Sequence, residues 1–331
     1  MERTRAYISS TGMYFPEKIV TNDDFAAEME TSDQWIRERT GIAERRFSAD
    51  GEVTSDMAAK AGLDCLDKAG VKPDEVDAII VCTVTPDMFF PSSACLVQRK
   101  IKATNAWGFD LSGACSGFVF GLSTGAQFIE SGRYRKVLVI GADTMTSIVD
   151  FTDRATCVLF GDGAGAVLLE PSDGPEIGIL DFDLHTDGSG EEFLHMPGGG
   201  SLNPPSHETV DQGMHYVHQD GRTVFKFAVK YMTEVSENLL KRNDIAVEDM
   251  TLVIPHQANM RIISSIADRL KLRDDQLGLN IEKYANTTAA TIPTCLCEYH
   301  RSGKFKRGDL ILVSSFGAGF TWGSSLFSWG L

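Results

Sequence analysis

Two hydrophobic periods alternate along the chain. Apolar residues at helical spacing run over 54–69, where Met57, Ala58, Ala61, Leu63, Cys65 and Leu66 form one broad face and predict a helix. Nearly unbroken apolar runs at 76–85, 106–111 and 136–141 predict strands, the first of the kind that is buried on both faces of a parallel sheet. A strand is expected at 6–15, and helices start at cap-type residues near 21 and 31. Further helices are expected at 93–101 and 118–129, and a strand follows the Gly-rich turn at 160–169. From 223 the alternation resumes with helix 223–241, strand 251–254 and helix 260–271. A strand and turn over 277–286 and a last strand at 310–315 complete the pattern. Between these regions, 183–221 is rich in Gly, Pro, His and Asp with weak periodicity, and reads as a loop-rich insertion.

The two halves echo one another. Val71 to Val81 lines up with Ile245 to Pro255 at an offset of 174 residues, each a helix end, an acidic turn and a buried strand. Phe160-Gly161-Asp162-Gly163 echoes Phe316-Gly317-Ala318-Gly319 at an offset of 156. Two copies of one β/α unit with buried strands predict an α/β protein in which two similar sheets pack through shared helices. The expected division is a half at 1–175 and a half at 176–331, the second carrying the insertion.

Composition narrows the partners. The 331 residues are 43% hydrophobic and carry a net charge of −15, which argues against nucleic acid or an anionic membrane as the main partner. The first residues lack the long apolar core of a signal peptide, and no apolar run reaches membrane-spanning length. The seven cysteines are odd in number and lie mostly in apolar runs, as reduced cytoplasmic thiols do. Cys295-x-Cys297 lacks the spacing of a zinc pair and has no second pair, so no metal is expected. The histidines at 185, 195, 207, 215 and 218 lack compact ligand spacing and read as solvated or structural. The Gly-rich stretch 197–201 lacks the Lys-Ser/Thr of a phosphate loop.

Three polar positions carry chemistry. Cys115 stands among small residues where a strand gives way to a helix, so a substrate can approach and the helix start favours thiolate. Taken alone, such a cysteine is more often a small buried hydrophobe. His256 directly follows the buried strand 251–254, and Asn286 lies in Tyr284-Ala285-Asn286-Thr287-Thr288. Each is expected after a strand, at the carboxyl end of a sheet, where α/β sites form. Singly, His256 fits a structural histidine and Asn286 a turn residue.

Together with their neighbours these residues resemble the 3-oxoacyl-[acyl-carrier-protein] synthase III family, the initiating condensing enzymes of type II fatty acid synthesis. The resemblance spans nearly the whole chain. It runs through Thr31-Ser32-Asp33-Gln34-Trp35-Ile36, Arg39-Thr40-Gly41-Ile42, Phe90-Pro91-Ser92 and Ala114-Cys115-Ser116-Gly117-Phe118. It continues through Thr152-Asp153-Arg154, Phe160-Gly161-Asp162-Gly163, His256-Gln257-Ala258-Asn259, Asn286-Thr287-Thr288-Ala289-Ala290 and Phe316-Gly317-Ala318-Gly319. The resemblance implies a thiolase-like fold, a layered αβαβα sandwich of two duplicated βαβαβ-type halves. It implies Cys115 as nucleophile, with His256 and Asn286 as donors to an enolate oxygen formed by decarboxylation. The backbone N–H groups of Cys115 and Ala318 would hold the tetrahedral oxyanion. Many relatives have Gly where Ala318 stands, so the methyl narrows the room there.

The substrates implied are a short acyl-CoA, acetyl-CoA or similar, and malonyl-acyl carrier protein. No cofactor is implied beyond the coenzyme A thioester itself. Trp35 and Arg154 resemble an adenine sandwich, Arg39 a residue near the nucleotide end, and Asn259 a contact to the pantetheine arm; Phe316 joins the substrate-binding set. Phe90 resembles a loop residue that closes the acyl pocket of the second subunit in a homodimer. Lys226, Arg261 and Arg269 match basic positions that dock the acidic carrier protein, while Asp268 stands where some relatives have Lys. Two readings compete with a fatty acid enzyme: a condensing enzyme of specialised metabolism with another starter, and a non-catalytic paralogue that only binds carrier protein. Plant-type polyketide synthases and hydroxymethylglutaryl-CoA synthases fit less well, the latter because no matching Glu stands beside Cys115.

Overall fold

A computed structural model describes residues 4–331. Strand β1 (Ala6–Tyr14) opens the chain, followed by a small ribbon of β2 (Lys18–Thr21) and β3 (Glu44–Phe47). Helices α1 (Asn22–Glu28) and α2 (Asp33–Thr40) lie within that ribbon's connection and start where the side chains of Thr21 and Ser32 accept the orphan N–H groups of Asp24 and Trp35. Then come α3 (Thr54–Ala69), β4 (Ala78–Cys82), α4 (Ser93–Ile101), β5 (Trp107–Leu111), α5 (Gly117–Glu130) and β6 (Val137–Asp143). The short α6 (Arg154–Cys157) precedes β7 (Gly163–Pro171).

The second half begins with β8 (Gly178–Thr186), then a two-residue ribbon of β9 (Leu194–His195) and β10 (His218–Gln219) around α7 (His207–Asp211). It continues with α8 (Gly221–Arg242), β11 (Leu252–Pro255), α9 (Met260–Leu270), α10 (Ile281–Tyr284), α11 (Thr291–Arg301), β12 (Leu310–Gly317) and β13 (Thr321–Ser328).

The strands form two main sheets, ordered β1-β7-β6-β4-β5 and β8-β13-β12-β11. Sheet by sheet the members correspond: a first strand, an antiparallel pair, and a parallel neighbour that follows a three-residue acidic turn. That turn is Pro73–Glu75 in one copy and Val247–Asp249 in the other, at the 174-residue offset read from the sequence. The second echo is close but displaced, because β7 opens at Gly163 and β13 at Thr321.

Period-two alternation sorts each strand's side chains into separate layers. Ile80 and Cys82 of β4 face an inner core shared with α5, α11 and the second sheet, whereas Ile79 and Val81 face an outer core against α3 and α4. On the far side, Val253 and Leu312 pack against Leu239 and Leu240 of α8. The layers are therefore helix, sheet, helix, sheet, helix, the αβαβα sandwich.

Several stretches differ from the sequence pattern. Residues 183–186 extend β8, because they pair with β13 (Thr186 with Thr321, Asp183 with Ser324), so the insertion holds a strand end, a short ribbon and a five-residue helix rather than loop alone. No strand forms over 277–286. There the Gln257 side chain takes the backbone groups a strand would pair: its oxygen accepts from Asn280 N and Ile281 N, and its amide donates to Gly278 O. Only the isolated bridges Val253–Leu277 and Phe160–Asn286 remain. Asn286 thus follows the one-turn α10 rather than a strand. The hydrophobic pattern also leaves unmarked the strands β2, β3 and β13, the first part of β8, and the helices α6 and α11.

The corresponding helices α5 and α11 meet in the middle layer. Each is preceded by a three-residue 3₁₀ turn, Ala114–Ser116 and Thr288–Ala290, again 174 residues apart. Both turns open on a non-glycine residue in the left-handed region, Ala114 at φ 47° and Thr288 at φ 51°. Strand β6 runs so close beneath the second turn that a Cβ at Gly141 would lie 2.2 Å from Ala289 O. Gly141→Ala should therefore destabilise the fold by about 1–3 kcal/mol or more, since backbone rather than a flexible side chain must move. Thermal unfolding checks this; an unchanged midpoint would show that the turn is free to shift.

Candidate active site

The residues singled out by chemistry gather around one cavity of about 680 Å³. Cys115, His256 and Asn286 all line it, with Phe316 and Ala318 beside them. Its size falls within the usual range for small-molecule sites.

Cys115 sits in the 3₁₀ turn just ahead of α5 rather than in the helix itself. Its backbone is gripped by the other half of the chain: Ser315 Oγ donates to Cys115 O at 2.7 Å. Gly317 presses against it so closely that a Cβ there would lie 2.7 Å from Cys115 N. Burial pushes the Cys115 thiol up to about 12, with the Asp143 carboxylate adding in the same direction and the Cys115 backbone hydrogen bond opposing them. The expected bias of the helix start toward thiolate is thus outweighed by desolvation, which favours the thiol.

His256 follows β11 and is fully enclosed. Burial alone lowers its pKa to about 3, so the ring is neutral. Its Nδ1 is paired with Thr291 Oγ1 at 2.7 Å, while Nε2 has no partner among the described residues. Asn286 is oriented from its oxygen end: Thr288 N donates to Asn286 Oδ1 at 2.9 Å, which leaves the NH₂ as the end free to serve the cavity.

Thr288 is in turn held by Asp143 at the end of β6. This buried carboxylate accepts from Thr83 Oγ1, Val84 N, and the N and Oγ1 of Thr85, all following β4. It also accepts from Thr288 Oγ1 and Ala289 N across the half-to-half boundary. Burial raises its pKa and these donors pull it back.

The mouth of the cavity is basic although the chain is acidic. Arg39, Arg222 and Arg261 line it, and no described carboxylate does. The Arg39 and Arg154 guanidinium carbons lie 4.3 Å and 4.7 Å from the Trp35 ring centre, and Arg154 also donates to Glu30 O. Asn259 lines the cavity too, but its side chain is occupied: Oδ1 caps α9 at Arg261 N and Nδ2 donates to Arg39 O. Phe90, Lys226 and Arg269 do not line it. Phe90 is 85% exposed beside Phe89 at 78%, and Lys226 and Arg269 lie exposed on α8 and α9.

Arg222 and Met145 line the cavity without having stood out in the sequence, His195 lines it although it read there as solvated or structural, and Thr288 of the Asn286 motif lines it as well. Arg222 left one legible sign. A cation in the first turn of a helix opposes the helix dipole, so its place there calls for another reason.

Comparison with known proteins shows the family. The family model described as 3-oxoacyl-[acyl-carrier-protein (ACP)] synthase III matches residues 109–188, and that for its C-terminal part matches 240–329. A β-ketoacyl-[acyl-carrier-protein] synthase III of Koribacter versatilis is 54% identical over 98% of both chains. This chain belongs to the 3-oxoacyl-[acyl-carrier-protein] synthase III family. A second such synthase, from Solibacter usitatus, is 55% identical over 98% of this chain and 99% of that one. The crystal structure of the Aquifex aeolicus synthase III superposes with a TM-score of 0.91 at 44% identity, covering 98% of this chain and 100% of that one. The priming β-ketosynthase of the R1128 polyketide pathway gives 0.92 at 33% identity, over 99% of this chain and 97% of that one. As a member of the synthase III family the chain is a condensing enzyme of the acyltransferase type, with the thiolase-like fold.

The buried neutral His256 sets an acid limit on stability. Between about pH 3 and 6.5 the unfolded chain binds a proton at this ring that the native protein refuses. Stability from His256 is therefore full above pH 6.5 and falls as the pH drops, by about 1.4 kcal/mol per unit. His256→Gln should flatten the fall of the melting temperature between pH 6.5 and 5; an undiminished slope would place the linkage elsewhere.

Proposed function

We propose that this chain primes type II fatty acid synthesis by joining a short acyl group from coenzyme A to malonyl-acyl carrier protein, with loss of CO₂. The observation that carries this reading is the meeting of Cys115, His256 and Asn286 at one cavity whose mouth bears three arginines and no carboxylate. In the first half-reaction the Cys115 sulfur attacks the thioester carbonyl. The oxyanion is held by the N–H groups of Cys115 and Ala318, and the C–S bond to coenzyme A breaks. The Cys115 proton ends on the departing coenzyme A sulfur, so the protein finishes with no change of charge.

In the second half-reaction the C–CO₂ bond of the malonyl group breaks and its electron pair moves into an enolate. His256 Nε2–H and the Asn286 amide stabilise the enolate oxygen. The carbon attacks acyl-Cys115, the new C–C bond forms, and the Cys115 sulfur leaves as thiolate and takes up one proton from solvent. No metal or other cofactor takes part.

The arginines suit the phosphates of coenzyme A and of the carrier protein's prosthetic arm. Trp35 with Arg154 forms the adenine clamp, and Arg39 stands at its nucleotide end. A base between two planar groups needs about 7 Å from ring to guanidinium, so Arg154 must swing off Trp35 on binding. Asn259 acts on the pantetheine arm chiefly by fixing the start of α9, and Phe316 borders the acyl chamber. Lys226, Arg261 and Arg269 on the paired α8 and α9 form the carrier-protein face. A second copy covers the open edge of β5 with its exposed Trp107, and the neighbouring Phe89 and Phe90, which gives Phe90 its place at the second subunit's pocket. The seven free cysteines fit a reducing cytoplasm, and no described helix is long and apolar enough to cross a membrane. Identities of 54 and 55% to the synthase III relatives, against 33% to the polyketide priming enzyme, favour the fatty acid role.

Incubation with acetyl-CoA should add one acetyl group by mass, and Cys115→Ala should abolish the gain. His256→Ala and Asn286→Ala should keep that acylation while losing malonyl decarboxylation about 100-fold or more. Retention of wild-type decarboxylation by either variant would remove that residue from the enolate. Arg154→Ala should raise KM for acyl-CoA roughly tenfold, with a smaller effect on malonyl-carrier protein. Equal effects on the two substrates would count against an adenine clamp.

A further inference from the structure

We propose that Thr291 is a positioning residue whose hydroxyl donates to His256 Nδ1 and so keeps the ring proton on Nε2. The inference rests on the reading above, in which Nε2 must be a donor to the enolate oxygen.

A neutral imidazole carries a single N–H, and the partner of one nitrogen decides which form is present. His256 is neutral because it is buried with no counter-charge. The partner of Nδ1 is Thr291 Oγ1 at 2.7 Å. That hydroxyl has one proton and two neighbouring acceptors, His256 Nδ1 and, at 3.1 Å, Thr288 O. Thr288 O already accepts the backbone N–H of Thr291, so it is satisfied without the hydroxyl. Nδ1 has no such alternative and makes the shorter contact. Donation from Thr291 to Nδ1 leaves the proton on Nε2, the atom that borders the cavity with no protein acceptor among the described residues.

Thr291 is well fixed for this task. It is the first residue of α11, buried, and β-branched, so its side chain has few rotamers to lose. The turn that precedes it is the one anchored by Asp143 through Thr288 and Ala289. The same turn orients Asn286 through Thr288 N. One short segment thereby aims both donors of the enolate site. In the sequence nothing marks Thr291, because the histidine it serves lies 35 positions away.

The test pairs a spectroscopic signature with separated half-reactions. In protein labelled with ¹⁵N-histidine, the His256 signals are identified by their loss in His256→Gln. They should show a protonated Nε2 and an unprotonated, hydrogen-bonded Nδ1. Thr291→Val, which keeps the shape and loses the hydroxyl, should abolish that pattern and lower malonyl decarboxylation roughly 10–100-fold. Acylation of Cys115 by acetyl-CoA should be unchanged in it, and Thr291→Ser should restore both the pattern and the decarboxylation.

A proton on Nδ1 in the wild-type protein would overturn the proposal, as would wild-type decarboxylation by Thr291→Val or a defect that Ser does not rescue. The wild-type spectrum needs no variant and decides the tautomer even if a substitution impairs folding. Absence of acetylation or decarboxylation in the wild-type enzyme would instead defeat the functional reading, while the spectrum would still report on Thr291.

Discussion

A buried carboxylate joins the two halves of this enzyme. Asp143 ends a central strand with no water to solvate it, so every lone pair must find a donor or the group is costly. It finds donors in the loop after β4 and in the turn before α11. That demand fixes two loops from different halves against one strand end. The turn before α11 carries a threonine in the left-handed region, a conformation of order 1–3 kcal/mol above the relaxed one. The hydrogen bonds of Asp143 hold it there.

From that anchor the geometry of the site follows. The held turn points the Asn286 amide outward and sets the base of α11, from which Thr291 reaches His256. The other copy of the same turn carries Cys115, and its position is set by β12 through Ser315 and Gly317. Where the first copy has Cys115, the second has Ala289, whose backbone β6 passes closely because Gly141 has no side chain. On the proposed mechanism the duplicated unit divides its labour: one elbow attacks, and the other aims the groups that stabilise charge.

Electrostatics divides along the same lines. Deep in the cavity burial dominates, keeping His256 neutral and the Cys115 thiol protonated. This suits chemistry in which hydrogen-bond donors meet a developing oxyanion in a poorly solvated site. At the mouth, three arginines stand in a chain whose net charge is −15. Local arrangement, not the total, sets what an anionic substrate meets there.

How much of this was legible in the chain depended on the range of the interaction concerned. Residues 54–69 declare a helix by periodicity and 76–85 a strand by an unbroken apolar run, both local properties, and the 174-residue echo declares two similar sheets. Cys115, His256 and Asn286 stand out because polar residues set among apolar runs and small side chains are unusual. The sequence by itself thus determined most of the elements, their repetition and the three candidate site residues. Tertiary structure alone decided the rest. The run 277–286 is not a strand because the Gln257 side chain, far back in the chain, claims its backbone groups. Arg222 reaches the mouth, and Thr291 meets His256, through contacts between distant segments. The state of the Cys115 thiol follows from how deeply the packed layers bury it, a many-body quantity that the local pattern of residues does not contain.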